Sequence, residues 1–300
     1  MVQRQPEMKF ILQYVILFFF YANALFGGSL PESGFWDLMK KDKSKEHQQA
    51  IHSKGWTLFE TLFSKYQKNK EALLKAHTTK IPHKIHLIWL GTPMPDFSRK
   101  MVETWKKIHP DWEVLLWTDA DLSSFGLKNR AAYEKSTNWG EKSDIFRYEI
   151  LYRYGGLYVD AADFECIRRF DELHDTCDFY VGIAYGKRSL VYNGLIGCRP
   201  HHPIMKRCIN SIKIGNGDNS RWRIVNATGP LFLTKCIKAS LADSTIKKKN
   251  GIVVPFPTIV FYPFPDASHT RYSNIDNVKK EFLCPEAFAI HYWKSSWDIH

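Results

Sequence analysis

Three carboxylates crowd into six positions of the segment Tyr154-Gly155-Gly156-Leu157-Tyr158-Val159-Asp160-Ala161-Ala162-Asp163-Phe164-Glu165-Cys166. Carboxylates that close repel one another in a folded protein unless a cation or protons neutralise them. Hard oxygen ligands on a tight turn suit Mg2+ or Mn2+, ions that keep waters and bind substrate phosphates directly. A solvated acidic turn is the bland alternative. The apolar run Leu157-Tyr158-Val159 argues against it, because the acids leave the end of a buried strand rather than a polar stretch. Just upstream, Asp144 and Arg147 stand at i, i+3 on a predicted helix. On spacing alone they read as a surface ion pair.

The elements that must position these residues alternate in type. Residues 84–90 read as a buried strand closed by Gly91-Thr92-Pro93, and a helix is predicted over 98–108 from a Ser98 cap. Residues 112–117 form a second strand, which makes a βαβ unit. Such units build mostly parallel sheets with ligands at the carboxyl ends of the strands. A helix over 141–154, stopped by Gly155-Gly156, runs into a strand over 157–159 and delivers Asp160 and Asp163 to such an end. Apolar runs at 179–184 and 252–255 follow, with no internal repeat.

Composition sets the bounds. The 300 residues, 44% hydrophobic and 15% aromatic, exclude general disorder and can bury a good core. A net charge of +11 suits phosphate-bearing ligands or an anionic membrane surface. Nucleic acid is not expected, since the Lys and Arg form no recognisable binding motif. Met8-Lys9, an apolar block over 10–21 and Ala22-Asn23-Ala24 resemble a secretory signal, with an uncleaved anchor as the alternative. We therefore expect an exported or membrane-anchored protein: signal or anchor at 1–28, a helical stem or cover at 29–80 and a catalytic domain at 81–300. The helical spacing of Trp56, Leu58, Phe59, Leu62, Phe63 and Tyr66 supports the middle segment. The six cysteines show no metal-knuckle spacing, and disulfides and free thiols both remain open.

The assembled blocks resemble the DxD-motif sugar transferases of glycosyltransferase family 32 and its relatives, which include fungal Golgi mannosyltransferases and clostridial glucosylating toxins. The resemblance covers about residues 81 to 297. It rests on Ile81-Pro-His-Lys-Ile-His-Leu-Ile-Trp-Leu-Gly91, on Ser143-Asp144-Ile-Phe-Arg147-Tyr-Glu-Ile-Leu151 running into Tyr154-Gly-Gly-Leu-Tyr-Val-Asp160, and on Ala289-Ile-His291-Tyr-Trp-Lys-Ser-Ser296-Trp297. It implies an α/β fold of the GT-A nucleotide-diphosphosugar type, with a mostly parallel sheet flanked by helices. It also implies Mn2+ (or Mg2+) at Asp160, Asp163 and His291. Asp144 and Arg147 would be catalytic, contacting donor sugar and phosphate, and Trp89, Ser296 and Trp297 would bind the donor. Asn193-Gly194 and Thr228-Gly229-Pro230 match family turn positions that ordinary turn chemistry also explains. The chain departs from the family in two places. One extra alanine of the pair 161–162 separates the two acids, and Tyr292 stands where many members carry a second His.

The activity implied is metal-dependent, retaining transfer of a sugar from a nucleotide-sugar to a glycan, glycolipid or protein hydroxyl. A toxin-like effector that glycosylates a host protein, or a degenerate domain that only binds sugar or membrane, are the alternatives.

Overall fold

The computed structural model describes residues 33–39, 54–76, 78–183, 189–213, 220–265 and 274–294. The expected signal or anchor at 1–28 lies outside the described residues, as do Ser296 and Trp297. Among the described residues no helix is long and apolar enough to cross a membrane.

The principal elements in chain order are α1 (Lys54–Lys75), β1 (Lys84–Ile88), α2 (Asp96–Ile108), β2 (Glu113–Trp117), α3 (Asp119–Phe125), α4 (Trp139–Tyr154), β3 (Gly156–Asp160), β4 (Phe164–Cys166), β5 (Phe179–Ile183), β6 (Val191–Cys198), α5 (Pro203–Ser211), α6 (Arg221–Ala227), α7 (Pro230–Ala242), β7 (Val253–Phe256) and β8 (Ala289–His291). A six-stranded sheet runs β2-β1-β3-β6-β5-β7, and β4 pairs with β8 in a small antiparallel sheet. Neighbouring strands of the large sheet are parallel except at β6, which is antiparallel to β3 and β5. The α/β reading with a mostly parallel, helix-flanked sheet therefore holds. The central strands are buried along nearly their whole length, β3 up to its terminal Asp160, because both faces are covered, as helices on a parallel sheet require.

The N-terminal helix α1 joins this core. Trp56, Phe59, Phe63 and Tyr66 are buried along one side, and the rings of Phe63 and Tyr66 stand edge-on to Phe256 of β7. Helix α2 begins two residues earlier than its predicted cap. Pro95, with φ fixed at −63°, takes the cap position, and Ser98 is buried in the first turn.

Helix α4 is capped by the Asn138 side chain, which accepts from the Glu141 N–H, so it starts at Trp139 rather than 141. From Asp144 to Leu151 every side chain is buried. Glu141 is 0% exposed and takes both guanidinium nitrogens of Arg223 at 2.7 and 2.8 Å, with the Ser136 hydroxyl at 2.7 Å. That bidentate pair binds α6 to α4 and sets Thr228, the residue after α6, against the middle of α4. At the other end Gly155 adopts φ 63°, ψ −162°, a region essentially open only to glycine.

A Cβ at Gly155 would also sit 2.6 Å from the backbone nitrogen of Pro200, whereas one at Gly126 would meet nothing within 4 Å despite its φ of 68°. Gly155→Ala is thus expected to destabilise the protein by about 3 kcal/mol or more, and Gly126→Ala by only about 1 kcal/mol. Chemical denaturation of the two variants checks the contrast. Equal losses would show that α4 does not depend on its close approach to Pro200.

Candidate active site

The carboxyl ends of β1, β2 and β3 lie side by side, with Ile88 in register with both Trp117 and Asp160. Trp89 follows directly, its backbone N–H donating to the Trp117 carbonyl at 2.9 Å. Its half-buried indole N–H donates to the Thr92 carbonyl at 2.6 Å. So Trp89 and Asp160 share one sheet edge.

Behind that edge lies a buried charge network. Arg147 on α4 stands 3.2 Å from Asp144 and 3.2 Å from Asp160. It donates to the Asn193 carbonyl at 2.7 Å, and its guanidinium carbon sits 4.4 Å from the centroid of the Tyr158 ring. The Tyr158 hydroxyl donates to Asp160 Oδ1 at 2.7 Å. Asp144 accepts from Asn193 Nδ2 at 2.7 Å and from the Thr228 hydroxyl at 2.8 Å. Burial pushes the Asp144 carboxyl up to about 6, although Arg147 beside it and the two donors pull the other way. For Arg147 burial opposes the charge. The surrounding carboxylates, Asp160 first, outweigh it and hold the guanidinium more firmly protonated than usual.

Asp160 itself is about one-third exposed, and both of its described polar contacts fall on Oδ1. The other oxygen faces Gly194 on β6, where a Cβ would sit 2.6 Å away. Glycine there is a matter of room: any side chain would press on the carboxylate.

The second acid belongs to a different set of partners. Asp163 is buried, with Oδ1 2.8 Å from His291 Nε2 and Oδ2 accepting from the Lys294 N–H. The register Phe164↔His291 between β4 and β8 creates this meeting. Tyr292 alternates to the opposite face, and its hydroxyl donates to Glu165 at 2.6 Å. A histidine in its place would point away from Asp163. The turn between the acids is pinned, because Ser98 donates to the Ala162 carbonyl at 2.7 Å and Ala161 is buried. The extra alanine is therefore taken up between the ends of β3 and β4, leaving both strands regular.

Among the described residues no three His, Cys, Asp or Glu side chains converge on one point as a ready metal cage. Asp163 Oδ1 and His291 Nε2 are 2.8 Å apart, a direct hydrogen-bond distance, and both are atom types that ligate metals. A carboxylate with an imidazole suits Mn2+ better than Mg2+.

The structure thus gathers Asp144, Arg147 and Asp160 in one network and Asp163 with His291 in another, with Trp89 at the same sheet edge as Asp160. Sequence reasoning missed the roles around Arg147 and Asp144 of Tyr158, Asn193, Thr228 and Ser143, whose hydroxyl accepts from Arg147 at 3.2 Å. The sequence marks Asn193 and Thr228 as family turn positions near an acceptor groove, not as partners of Asp144. The adjacent glycines are a signal in retrospect, since Gly194 leaves room for Asp160.

Comparison with known proteins concerns this same region. Residues 95–180 match the family described as glycosyltransferase sugar-binding region containing DXD motif. Inositol phosphoceramide mannosyltransferase 2 of Schizosaccharomyces pombe is 31% identical over 165 residues, 51% of this chain and 45% of the relative. This chain therefore spans less than half the length of that curated relative. Uncharacterized glycosyltransferase L373 of Acanthamoeba polyphaga mimivirus is 28% identical over 232 residues, 73% of this chain and 85% of the relative. A solved structure, PaToxG glycosyltransferase, aligns with TM-score 0.44 at 18% identity, covering 68% of this chain and 82% of that one. The segment similar to that family holds Asp144, Arg147, Asp160 and Asp163, and the relatives it resembles carry glycosyltransferase names.

Proposed function

We propose that this chain moves a sugar, with retention of anomeric configuration, from a nucleotide-diphosphosugar onto a hydroxyl of a glycan, glycolipid or protein. The observation that carries the reading is the meeting of two charge networks on the acidic turn. One presents Asp160 from a buried arginine, and the other joins Asp163 to His291 across β4 and β8. The name of the fungal relative favours a glycolipid acceptor. The N-terminal apolar block favours a site of action in the secretory pathway, at the cell envelope or outside the cell.

Asp163 and His291, with Asp160 close along the chain, would hold Mn2+ (or Mg2+), which when bound stabilises the negative charge developing on the leaving diphosphate. The protein's own groups supply positioning. Asp160 offers its partly exposed carboxylate to sugar or ribose hydroxyls, and Arg147 keeps that carboxylate oriented. Asp144 balances the Arg147 charge from the other side. Trp89 offers an aromatic face to the base, and Ser296 and Trp297 would close over the phosphates. In the transfer the anomeric carbon–oxygen bond to the diphosphate breaks and a bond to the acceptor oxygen forms on the same face. The acceptor proton leaves with the diphosphate. Such a step asks the protein mainly for orientation and preorganised charge.

A panel of nucleotide-sugars should reveal one that releases nucleoside diphosphate only with Mn2+ or Mg2+. Asp163→Ala is expected to lower that rate by a hundredfold or more. Full activity in the variant would sink the ligand assignment.

The elevated Asp144 carboxyl gives a pH signature. Its proton is held more tightly in the fold (about 6) than at the ordinary 3.8. Ionising it therefore costs stability, a cost that grows as pH rises from about 4 to 6 and is complete above. Below about pH 6 the residue is neutral, the pair with Arg147 is lost, and kcat/KM should fall with a limiting slope of one decade per pH unit. Asp144→Asn can keep its contacts to Asn193, Arg147 and Thr228. It should abolish the change in melting temperature that Asp144 causes between about pH 4 and 6, while losing most activity. A variant that keeps its activity would remove Asp144 from the site.

A further inference from the structure

A second concave and basic site lies at the opposite end of α4. Asp144 and Arg147 face the carboxyl edge of the sheet, whereas the last turn of α4 reaches the amino end of β3. There a cavity of about 260 Å3 opens between the α3–α4 connection, α4 and α5. Lys128, Glu149, Tyr152, Arg153, His201 and Lys206 are among its lining residues.

Its charge is lopsided. Among the described contacts none of Lys128, Arg153 and Lys206 pairs with a carboxylate. Lys128 Nζ donates to Asn210 Oδ1, and Arg153 donates to the carbonyls of Phe125 and Gly126 while its guanidinium lies over the Phe125 ring. Those bonds use two of the five N–H groups of Arg153 and fix the plane of its fork. The one carboxylate in the wall, Glu149, is already engaged: its oxygens accept the backbone N–H groups of Lys128 and Asn129, each at 2.7 Å. His201 completes the rim from a left-handed backbone (φ 57°), its N–H donating to the Tyr152 carbonyl at 2.7 Å. Non-glycine residues in that region carry strain and concentrate at functional positions.

Two lysines and an arginine against one carboxylate leave the wall net positive, and the carboxylate oxygens are turned to backbone amides, which suits a compact anion. A cavity of about 260 Å3 has room for a bare phosphate head. We propose that this cavity is a phosphate-binding site, separate from the donor cleft, that takes a phosphomonoester carried by a small molecule or by a lipid headgroup. A planar arginine fork and flanking lysines are the usual chemistry for that group.

Calorimetry of the full chain with inorganic phosphate, in EDTA so that the acidic turn holds no metal, tests the site. Binding should weaken about tenfold in Lys206→Glu and in Lys128→Glu, both exposed positions that leave the core intact, and stay unchanged in Asp163→Asn. Vesicles of phosphatidylcholine with and without phosphatidic acid separate the sources. Retention that depends on phosphatidic acid and vanishes in Lys206→Glu indicates a lipid headgroup. Phosphate binding without such retention indicates a soluble phosphate ester. Neither phosphate binding nor lipid-dependent retention, or binding indifferent to both lysine variants, overturns the proposal.

Discussion

The structure around the cleft is organised by one buried cation. Arg147 lies between Asp144 and Asp160 at 3.2 Å from each, under the ring of Tyr158 and against the Asn193 carbonyl. A guanidinium in such a place is tolerable only with its partners present, because removal of one leaves an uncompensated charge in a poorly solvated site. Other features follow from that need. Helix α4 is buried along its middle so that Asp144 and Arg147 face inward. The Arg223–Glu141 pair carries Thr228 to Asp144. Strand β6 presents Asn193 to the network and the side-chain-free Gly194 to the outer oxygen of Asp160. A site held this way is preorganised: its carboxylates are oriented before any ligand arrives.

The acidic turn gains a physical meaning from the different company its two acids keep. Asp160 ends β3 and belongs to the arginine network. Asp163 precedes β4 and belongs with His291 and the backbone that follows β8. The additional alanine lengthens the turn where it is held by Ser98, and the pleat of each strand is undisturbed. Two carboxylates close in sequence are thus given separate partners, a guanidinium for Asp160 and an imidazole with a backbone N–H for Asp163.

Much of this was legible in the sequence. Continuous apolar runs marked the buried strands, the glycine pair marked the end of α4, and the i, i+3 spacing placed Asp144 and Arg147 on one face. What could not be read was which distant residues complete the site. Asn193 and Thr228 lie far along the chain from Asp144, and turn chemistry sufficed to explain them. Tyr158 looked like any strand aromatic until its hydroxyl was seen on Asp160. Ser98 illustrates the same limit: local rules made it a helix cap, whereas its hydroxyl is used across the fold on the acidic turn. Local pattern is fixed by neighbours in sequence, and the partners of buried polar groups are fixed by the packing of whole elements.

The claim that the acidic turn, with His291, forms the cation-dependent donor site is tested most directly by electron paramagnetic resonance of Mn2+. Titration of the protein with Mn2+ in the presence of nucleoside diphosphates should deplete the free-ion signal for the wild type. Asp163→Asn and His291→Ala should each weaken that binding at least tenfold. Wild-type Mn2+ binding in both variants, or no nucleotide-supported binding in the wild type, would contradict the account.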